Sequence, residues 1–390
     1  MKEIGLALRK FFSGADIPLL LLCMLCSGLS LLMLSSVTTD LPGGPDRYIL
    51  IQAGAAGVGI LLFLIFTVID VNWLARRWPF LLAFGIGFNL LLLLFGEGGD
   101  TGNISWLYLP GIATGIQPAE ITKITFILVL AAQMYFLRER ISGLVSVALM
   151  GTHLGMMVVI IRFTSRDDGM ILVYCFIFLF MCVASGLKFR WFAAAAVVLG
   201  VSVPLVWNNL LTPNQRMRFL VVLNPGYDLS GIGWHADKSK TALGAGQLFG
   251  QGLHQGQQAQ LGNFPAKHTD FMFSMIGEEF GFLGCITVML LLFVIILRCL
   301  YIATRAKSGL GSLVCVGVAG MVIFQTFENI GMCLGVMPVV GLTLPFFSYG
   351  GSSTLSLYAA MGLISSVRFH PMPDWQKRQE LVKPHSLLKG

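Results

Sequence analysis

Long apolar runs alternate with short polar breaks along almost the whole chain. A helix that crosses a hydrocarbon core needs roughly 20 apolar residues. Runs of that kind cover positions 17–37, 47–70, 78–97, 118–136, 142–161, 169–186, 189–207, 271–297, 311–335 and 352–367. The pattern predicts an all-α polytopic membrane protein of about ten transmembrane helices in a single domain over 1–390, without a soluble partner domain. Two segments break the rhythm. Residues 208–270 form a long, polar, glycine-rich connection between the seventh and eighth runs, and connections of that length are uncommon unless functional or disordered. Its aromatic and apolar patches predict short amphipathic helices lying on the membrane surface. Residues 336–351 are apolar but interrupted by Pro338, Pro345 and Gly350-Gly351. At membrane depth an irregular backbone survives only against protein or a watery cavity, so this stretch reads as a re-entrant or cavity-lining loop.

Composition and charge sharpen the topology. Hydrophobic residues make up 56% of the 390 and charged residues 12%, about half the share in soluble domains. With the N-terminus (Lys2, Arg9, Lys10) in the cytoplasm, Arg76, Arg77, Arg138, Arg140, Lys188, Arg190, Arg298, Arg305, Lys307 and the tail at about 368–390 all fall inside. That agrees with the positive-inside rule and puts both termini in the cytoplasm, with the 208–270 loop outside. Arg162 and Arg166, in a short outer connection, depart from it. The net charge of +7 is mostly this inner excess, which attraction to anionic lipid explains better than nucleic-acid binding does. Seven of the eight cysteines lie within the apolar runs and Cys299 two residues beyond one, and they fit neither a disulfide framework nor a zinc site. The first apolar run continues into further spans and reads as an uncleaved first helix.

Four places carry candidate chemistry. In Gln117-Pro118-Ala119-Glu120-Ile121-Thr122-Lys123, Pro118 suits a helix first turn and sets Glu120 and Lys123 on one face. An embedded acid and base mark either a functional cavity or a structural ion pair, and the sequence leaves both open. The cations of the long loop (Arg216, Arg218, Lys238, Lys240, Lys267) suit a phosphate or pyrophosphate head group, against the alternative of a solvated face. The glycine-rich stretch 244–252 lacks a nucleotide-loop pattern and reads as tight turns. Asp270 closes the polar loop where an apolar helix begins, with Lys267 and His268 just before it and Glu278 and Glu279 two turns on. An acid there is either an ionised helix cap or a base whose pKa is raised by partial burial. His268 reads as a hydrogen-bonding neighbour, and no spacing here forms a metal site by itself.

These stretches, in order, resemble the shape, elongation, division and sporulation family typified by RodA and FtsW. The likeness rests on the 117–123 motif; on Gln215-Arg216-Met217-Arg218 with Asn224-Pro225; on His268-Thr269-Asp270-Phe271-Met272-Phe273 running into Gly277-Glu278-Glu279-Phe280-Gly281; and on Pro345-Phe346-Phe347-Ser348-Tyr349-Gly350-Gly351-Ser352. It covers nearly the whole chain. The resemblance implies a peptidoglycan glycosyltransferase that polymerises lipid II at the outer face of the bacterial cytoplasmic membrane, joined to a class B penicillin-binding protein. It implies that Asp270 is the catalytic base, and that Glu120, Lys123, Arg216, Arg218, Lys240, Lys267, His268 and Ser348 line the cavity or hold the undecaprenyl pyrophosphate. A divalent cation, Mg or Mn, on that pyrophosphate is a further expectation. Two departures stand out: Lys238-Ser239-Lys240 replaces a Gln-Ser-Lys run, and Ser165-Arg166-Asp167-Asp168-Gly169 keeps the Asp and Gly of a Gln-Pro-Asp-x-Gly run without its Gln-Pro turn. The 255–261 stretch leans toward the elongation branch. A lipid II flippase and a non-catalytic scaffold for the penicillin-binding protein are the rival readings.

Overall fold

The computed structural model describes residues 11, 13–97, 104–108, 115–209, 211–224, 231–260 and 264–370. The terminal stretches 1–10 and 371–390, and Pro225 of the Asn224-Pro225 pair, lie outside them. The helices follow the apolar runs: α1 Ile17–Val37, α2 Gly44–Val68, α3 Val71–Ala75, α4 Trp78–Leu90, α5 Leu92–Phe95, α6 Pro118–Phe136, α7 Leu144–Thr164, α8 Asp168–Ala184 and α9 Phe189–Asn209. The long connection contributes α10 Pro213–Leu223, α11 Ile232–Ala245 and α12 Gln257–Gln260, and the chain closes with α13 Met272–Arg305, α14 Gly309–Cys333 and α15 Gly351–Phe369. Eight helices among the described residues are long and apolar enough to cross a membrane. Two more occupy predicted runs without meeting that test. One is α8, with 17 residues. The other is α15, whose serines lower its hydropathy while its side chains are buried.

Small residues bring the central helices together, as they do where lipid supplies no hydrophobic drive. The α2–α15 contact is the most extensive: Gly59 lies under the Tyr358 ring and Gly362 against the Phe63 backbone. Gly317 and Gly320 of α14 admit Ile127, Met181 and Phe180 from α6 and α8. Almost every residue of α6 is buried. By contrast α9 buries none and stands at the periphery.

Three details differ from the sequence reading. A two-stranded antiparallel ribbon, β1 Gly96–Glu97 and β2 Trp106–Leu107, sits in the connection before α6, because the chain there must return within a few residues. Within the long connection α11 packs on α13 and α14, whereas α10 buries only Val221. In α11 the buried Ser239 hydroxyl reaches the Ser274 hydroxyl (2.5 Å) and the Cys333 carbonyl (2.7 Å). Finally, the run read as one helix over 271–297 is broken inside α13 at Gly281, with φ 67° and ψ −162°.

The irregular 336–350 stretch is buried at Leu342, Leu344, Phe346, Phe347 and Ser348. Its free carbonyls are met by side chains from the helices: Asn329 donates to Leu342 O (2.7 Å) and the Ser30 hydroxyl to Phe347 O (2.6 Å). Gln52 holds both sides of the turn, donating weakly to Ser348 O (3.4 Å) and accepting from the Gly350 N–H (3.1 Å). The expectation of an irregular segment satisfied by surrounding protein matches this arrangement.

Candidate active site

Helix α13 starts with Phe271 at its N-cap, and no side chain caps it. The Asp270 carboxylate is therefore not spent on the helix, which removes the capping alternative. Its backbone is fixed instead. The Asp270 N–H donates to Ala266 O (2.9 Å), and its carbonyl accepts from the Asn329 amide (2.7 Å). Because Asn329 also holds Leu342, one side chain ties Asp270 to the irregular segment. Gly341, at φ 78°, lies beside the carboxylate; a Cβ there would come within 3.5 Å of Asp270 Oδ2.

Burial pushes the Asp270 carboxyl up to about 6, against the pull of a hydrogen bond with Thr269 and the positive charge of Arg218. Asp167 is pushed up to about 6 as well, mainly by burial, and the negative charges of Glu120, Asp168 and Asp270 add to the shift. Asp167 is thus within electrostatic reach of both the Glu120 and the Asp270 carboxylates. Asp167 caps α8 through the Met170 N–H (3.0 Å) and accepts from Gln117 Nε2 (3.0 Å). The Gln117 N–H in turn donates to the Ser352 hydroxyl (3.0 Å). Gly169 packs so closely on the Val340 carbonyl that a Cβ would approach to 2.8 Å. The sequences around 117, 167, 270 and 340–352 thus meet at one end of the bundle, the end that carries the long connection.

Glu120 and Lys123 form a pair of 2.8 Å, with side chains 5% and 0% exposed. Glu120 also accepts from the Ser356 hydroxyl (3.2 Å). Nearby, Thr122 links the Asn89 amide (2.9 Å) to the Tyr174 hydroxyl (2.8 Å). The pair is a fixed part of the wall beneath Asp167.

The loop cations divide into two groups. Arg218 and Lys240 line one cleft with Asp237, Gly335 and Val339, and Arg218 acts on Asp270. Arg216 turns away and donates to Asn208 O at the end of α9 (3.0 Å). Lys267 is buried and paired with Asp40 (2.7 Å) while donating to Ala259 O; it pins the loop to the α1–α2 connection. His268 packs edge-on against Tyr48 and beside Tyr349. Burial and the charge of Lys267 push it down to about 4, so it is neutral near pH 7. Ser348 is buried and its hydroxyl accepts the Leu344 N–H (2.8 Å), a turn-stabilising role. Glu278 accepts the N–H groups of Gln258 (2.8 Å) and Ala259 (2.9 Å), and Glu279 takes the Ser36 hydroxyl, so both anchor α12 and α1 rather than the site.

Sequence reasoning passed over Asp167 as a site residue and over Gln325, Glu328 and Asn329 altogether. The signal was present: three polar side chains within one turn and a half of an otherwise apolar span, which in a membrane marks a functional interior. Glu328 is buried on α14 within electrostatic reach of Asp270.

A mainly helical, many-span bundle with a raised-pKa carboxylate near Arg218 and an irregular buried wall defines a polytopic membrane protein with a charged interior site at one end. Comparison narrows the class. The FtsW, RodA and SpoVE family model, described as "Cell cycle protein", matches residues 16–371, and the chain belongs to that family. A probable peptidoglycan glycosyltransferase FtsW of Trichlorobacter lovleyi is 32% identical over 370 residues, covering 92% of this chain and 95% of its own. The peptidoglycan glycosyltransferase MrdB of Escherichia coli K12 is 38% identical over 192 residues, and there the match spans about half of each protein, 49% of this chain and 52% of MrdB. Among solved structures, a chain of a peptidoglycan synthase complex, studied for coordination of polymerization and crosslinking, superposes with a TM-score of 0.78 at 29% identity, covering 91% and 98% of the two chains. The rod shape determining protein RodA of Thermus thermophilus gives 0.65 at 26% identity, covering 91% and 97%.

Proposed function

We propose that this protein is an inverting peptidoglycan glycosyltransferase that polymerises lipid II, with Asp270 as its general base. The observation that carries the reading is the Asp270 carboxylate itself: uncapped, held by its backbone, raised toward neutrality and facing Arg218. A base poised near the working pH is the form general-base catalysis favours. Asp270 takes the proton of the 4-hydroxyl on the GlcNAc of one lipid-linked glycan. That oxygen attacks the anomeric carbon of the donor glycan and forms a β-1,4 bond. The bond to the pyrophosphate breaks on the opposite face, and undecaprenyl pyrophosphate leaves with the electron pair. This reading assigns the leaving group to Arg218 and Lys240, which line one cleft, because Lys267 and Arg216 are engaged elsewhere.

Among the described residues no group of three or more His, Cys, Asp or Glu side chains is set to hold a metal ion. In this reading a divalent cation, Mg or Mn, would be carried by the pyrophosphate of the substrate, and no step depends on it. Arg76, Arg77, Arg138, Arg140, Lys188, Arg190, Arg305 and Lys307 gather at the end opposite Asp270, which supports a bacterial cytoplasmic membrane location with the site facing outward. The partner in this reading is a class B penicillin-binding protein that crosslinks the nascent strand.

The test uses the purified protein with its partner and labelled lipid II. Wild type makes glycan polymer; Asp270→Asn makes none while folding and partner binding persist. Normal polymerisation by the Asn variant refutes the base assignment. Movement of lipid II between leaflets without polymer supports a flippase instead.

A further inference from the structure

The end of the bundle opposite Asp270 holds a cavity of about 330 Å3 between the C-terminal turns of α13 and α15. Arg298, Arg305, Lys307 and Arg368 line it, together with Tyr301, Ile302, Ala306 and Val367. Asp16 is the acid paired with these cations. It is fully buried, caps α1 through the Leu19 N–H (3.1 Å), and pairs with Arg298 (2.9 Å) and Arg368 (3.1 Å). Those two guanidinium groups are thereby held in place. The Arg298 and Arg305 guanidinium groups also lie 5.5 Å from the Tyr301 ring. Arg305 and Lys307 have no acidic partner among the described residues.

One cation in the last turn of a helix answers the helix dipole and needs no ligand. Four cations around one cavity with a single, already shared carboxylate are different: their charge calls for an anion. The cavity also has an apolar side, Ile302, Ala306 and Val367, where two membrane helices end. A charged head on one wall and a hydrocarbon chain on the other is the shape of a phospholipid at the membrane boundary, and basic pockets between spanning helices favour such head groups.

We propose that this cavity binds the phosphodiester head group of an anionic phospholipid, with Arg305 and Lys307 as the principal contacts and Arg298 and Arg368 as a positioned second pair. The bound lipid joins the ends of α1, α13 and α15, the helices that Asp16 already ties together. The site is separate from the glycan chemistry and stands or falls independently of it.

The test reconstitutes full-length protein in nanodiscs of phosphatidylcholine with rising phosphatidylglycerol, and follows thermal unfolding alongside native mass spectrometry of retained lipid. Wild type gains stability with phosphatidylglycerol and retains it through detergent exchange. Arg305→Gln/Lys307→Gln folds normally in pure phosphatidylcholine, but its apparent affinity for phosphatidylglycerol falls roughly tenfold or more, at the scale expected for two head-group cations. The control is Arg138→Gln/Arg140→Gln, which removes the same charge from the same end outside the cavity, and it leaves retention unchanged. An equal loss in both variants overturns the pocket in favour of general surface attraction. Inorganic phosphate, added to protein in neutral detergent, separates the two sources of the anion. If millimolar phosphate reproduces the full stabilisation, the ligand is a soluble phosphate and the lipid assignment fails.

Discussion

The Asn329 side-chain amide donates to the carbonyl oxygen of Asp270 and to that of Leu342, both at 2.7 Å. One residue of α14 therefore sets the position of the proposed base against the irregular segment that walls the site. Removing it leaves the buried Leu342 carbonyl without its donor, at about 1–3 kcal/mol, and leaves the part-buried Asp270 carbonyl with only the weak Cys333 thiol contact (3.9 Å). Asn329→Leu is expected to lower the unfolding midpoint and to reduce lipid II polymerisation at least tenfold, with partner binding kept. Asn329→Asp, which cannot donate when ionised, should behave similarly. Wild-type turnover by the Leu variant would remove Asn329 from the positioning role.

The Asp270 carboxyl titrates near 6, above its ordinary value of 3.8, because burial disfavours the charged form. Polymerisation should accordingly fall as pH drops through about 6, as the base takes up a proton. The same shift has an opposite consequence for stability. A carboxyl whose pKa is raised by folding binds its proton more tightly in the folded state, so its contribution favours the fold below pH 4 and is lost as pH rises through 6. Asp270→Asn should thus be inactive yet more heat-stable than wild type at pH 8, by about 2–4 °C, with the gap closing near pH 4. Scanning fluorimetry across that range reads it, and an Asn variant less stable at pH 8 contradicts the assigned shift.

For the Glu120–Lys123 pair, breaking one side is the informative change. Lys123→Met leaves an uncompensated carboxylate in the protein interior, a loss of roughly 3–5 kcal/mol. The double variant Glu120→Gln/Lys123→Met removes both charges and should restore most of the midpoint. Because Glu120 acts on Asp167, which is itself within electrostatic reach of Asp270, polymerisation in the double variant is expected to stay more than tenfold low. Full recovery of both stability and turnover would make the pair purely structural.

How far the sequence reached depended on whether a residue's partner lay nearby in the chain. The apolar runs located the helices because each span is a local pattern. Glu120 and Lys123 were paired correctly because three residues on a helix share a face. Asp270 stood out as an acid at a polar–apolar seam, but only the folded chain shows that no side chain caps α13; its role as base is the proposal made above. Lys267 counted as one more loop cation because its partner, Asp40, is more than 200 residues away. Asn329 was passed over because a hydropathy average over the whole span hides the short polar group Gln325, Glu328 and Asn329, and its hydrogen-bond partners lie in two other segments. The break at Gly281 was passed over although Gly277-Glu278-Glu279 interrupts the apolar pattern just before it, because the partner that fills the break, the 244–252 stretch, lies about 30 residues earlier in the chain.

That break is made by the glycine-rich stretch 244–252, which does more than turn. The Gln251 and Gly252 N–H groups donate to Glu278 O (2.9 Å) and Glu279 O (3.0 Å), the carbonyls that end the first part of α13. Gln247 O and Leu248 O accept from the Phe282 (2.8 Å) and Leu283 (3.2 Å) N–H groups that begin the second part. The loop thus supplies both ends of an interrupted helix, and it can approach only because residue 281 has no side chain. A Cβ on Gly281 would lie 2.3 Å from Gly250 N and 2.6 Å from the Leu248 carbonyl, at a φ that side chains rarely adopt. Gly281→Ala should therefore expel the loop, at a cost beyond the roughly 1–3 kcal/mol of backbone strain alone, and loosen the part of α13 that follows Asp270. Gly57→Ala on α2, where a Cβ meets nothing within 4 Å, should be neutral or stabilise by up to about 1 kcal/mol. Hydrogen exchange at the amides of 251, 252, 282 and 283 reads the difference: all four should lose protection together in the Gly281 variant and stay protected in the Gly57 variant. Protection that survives Gly281→Ala would mean that the loop is held by something other than the broken helix.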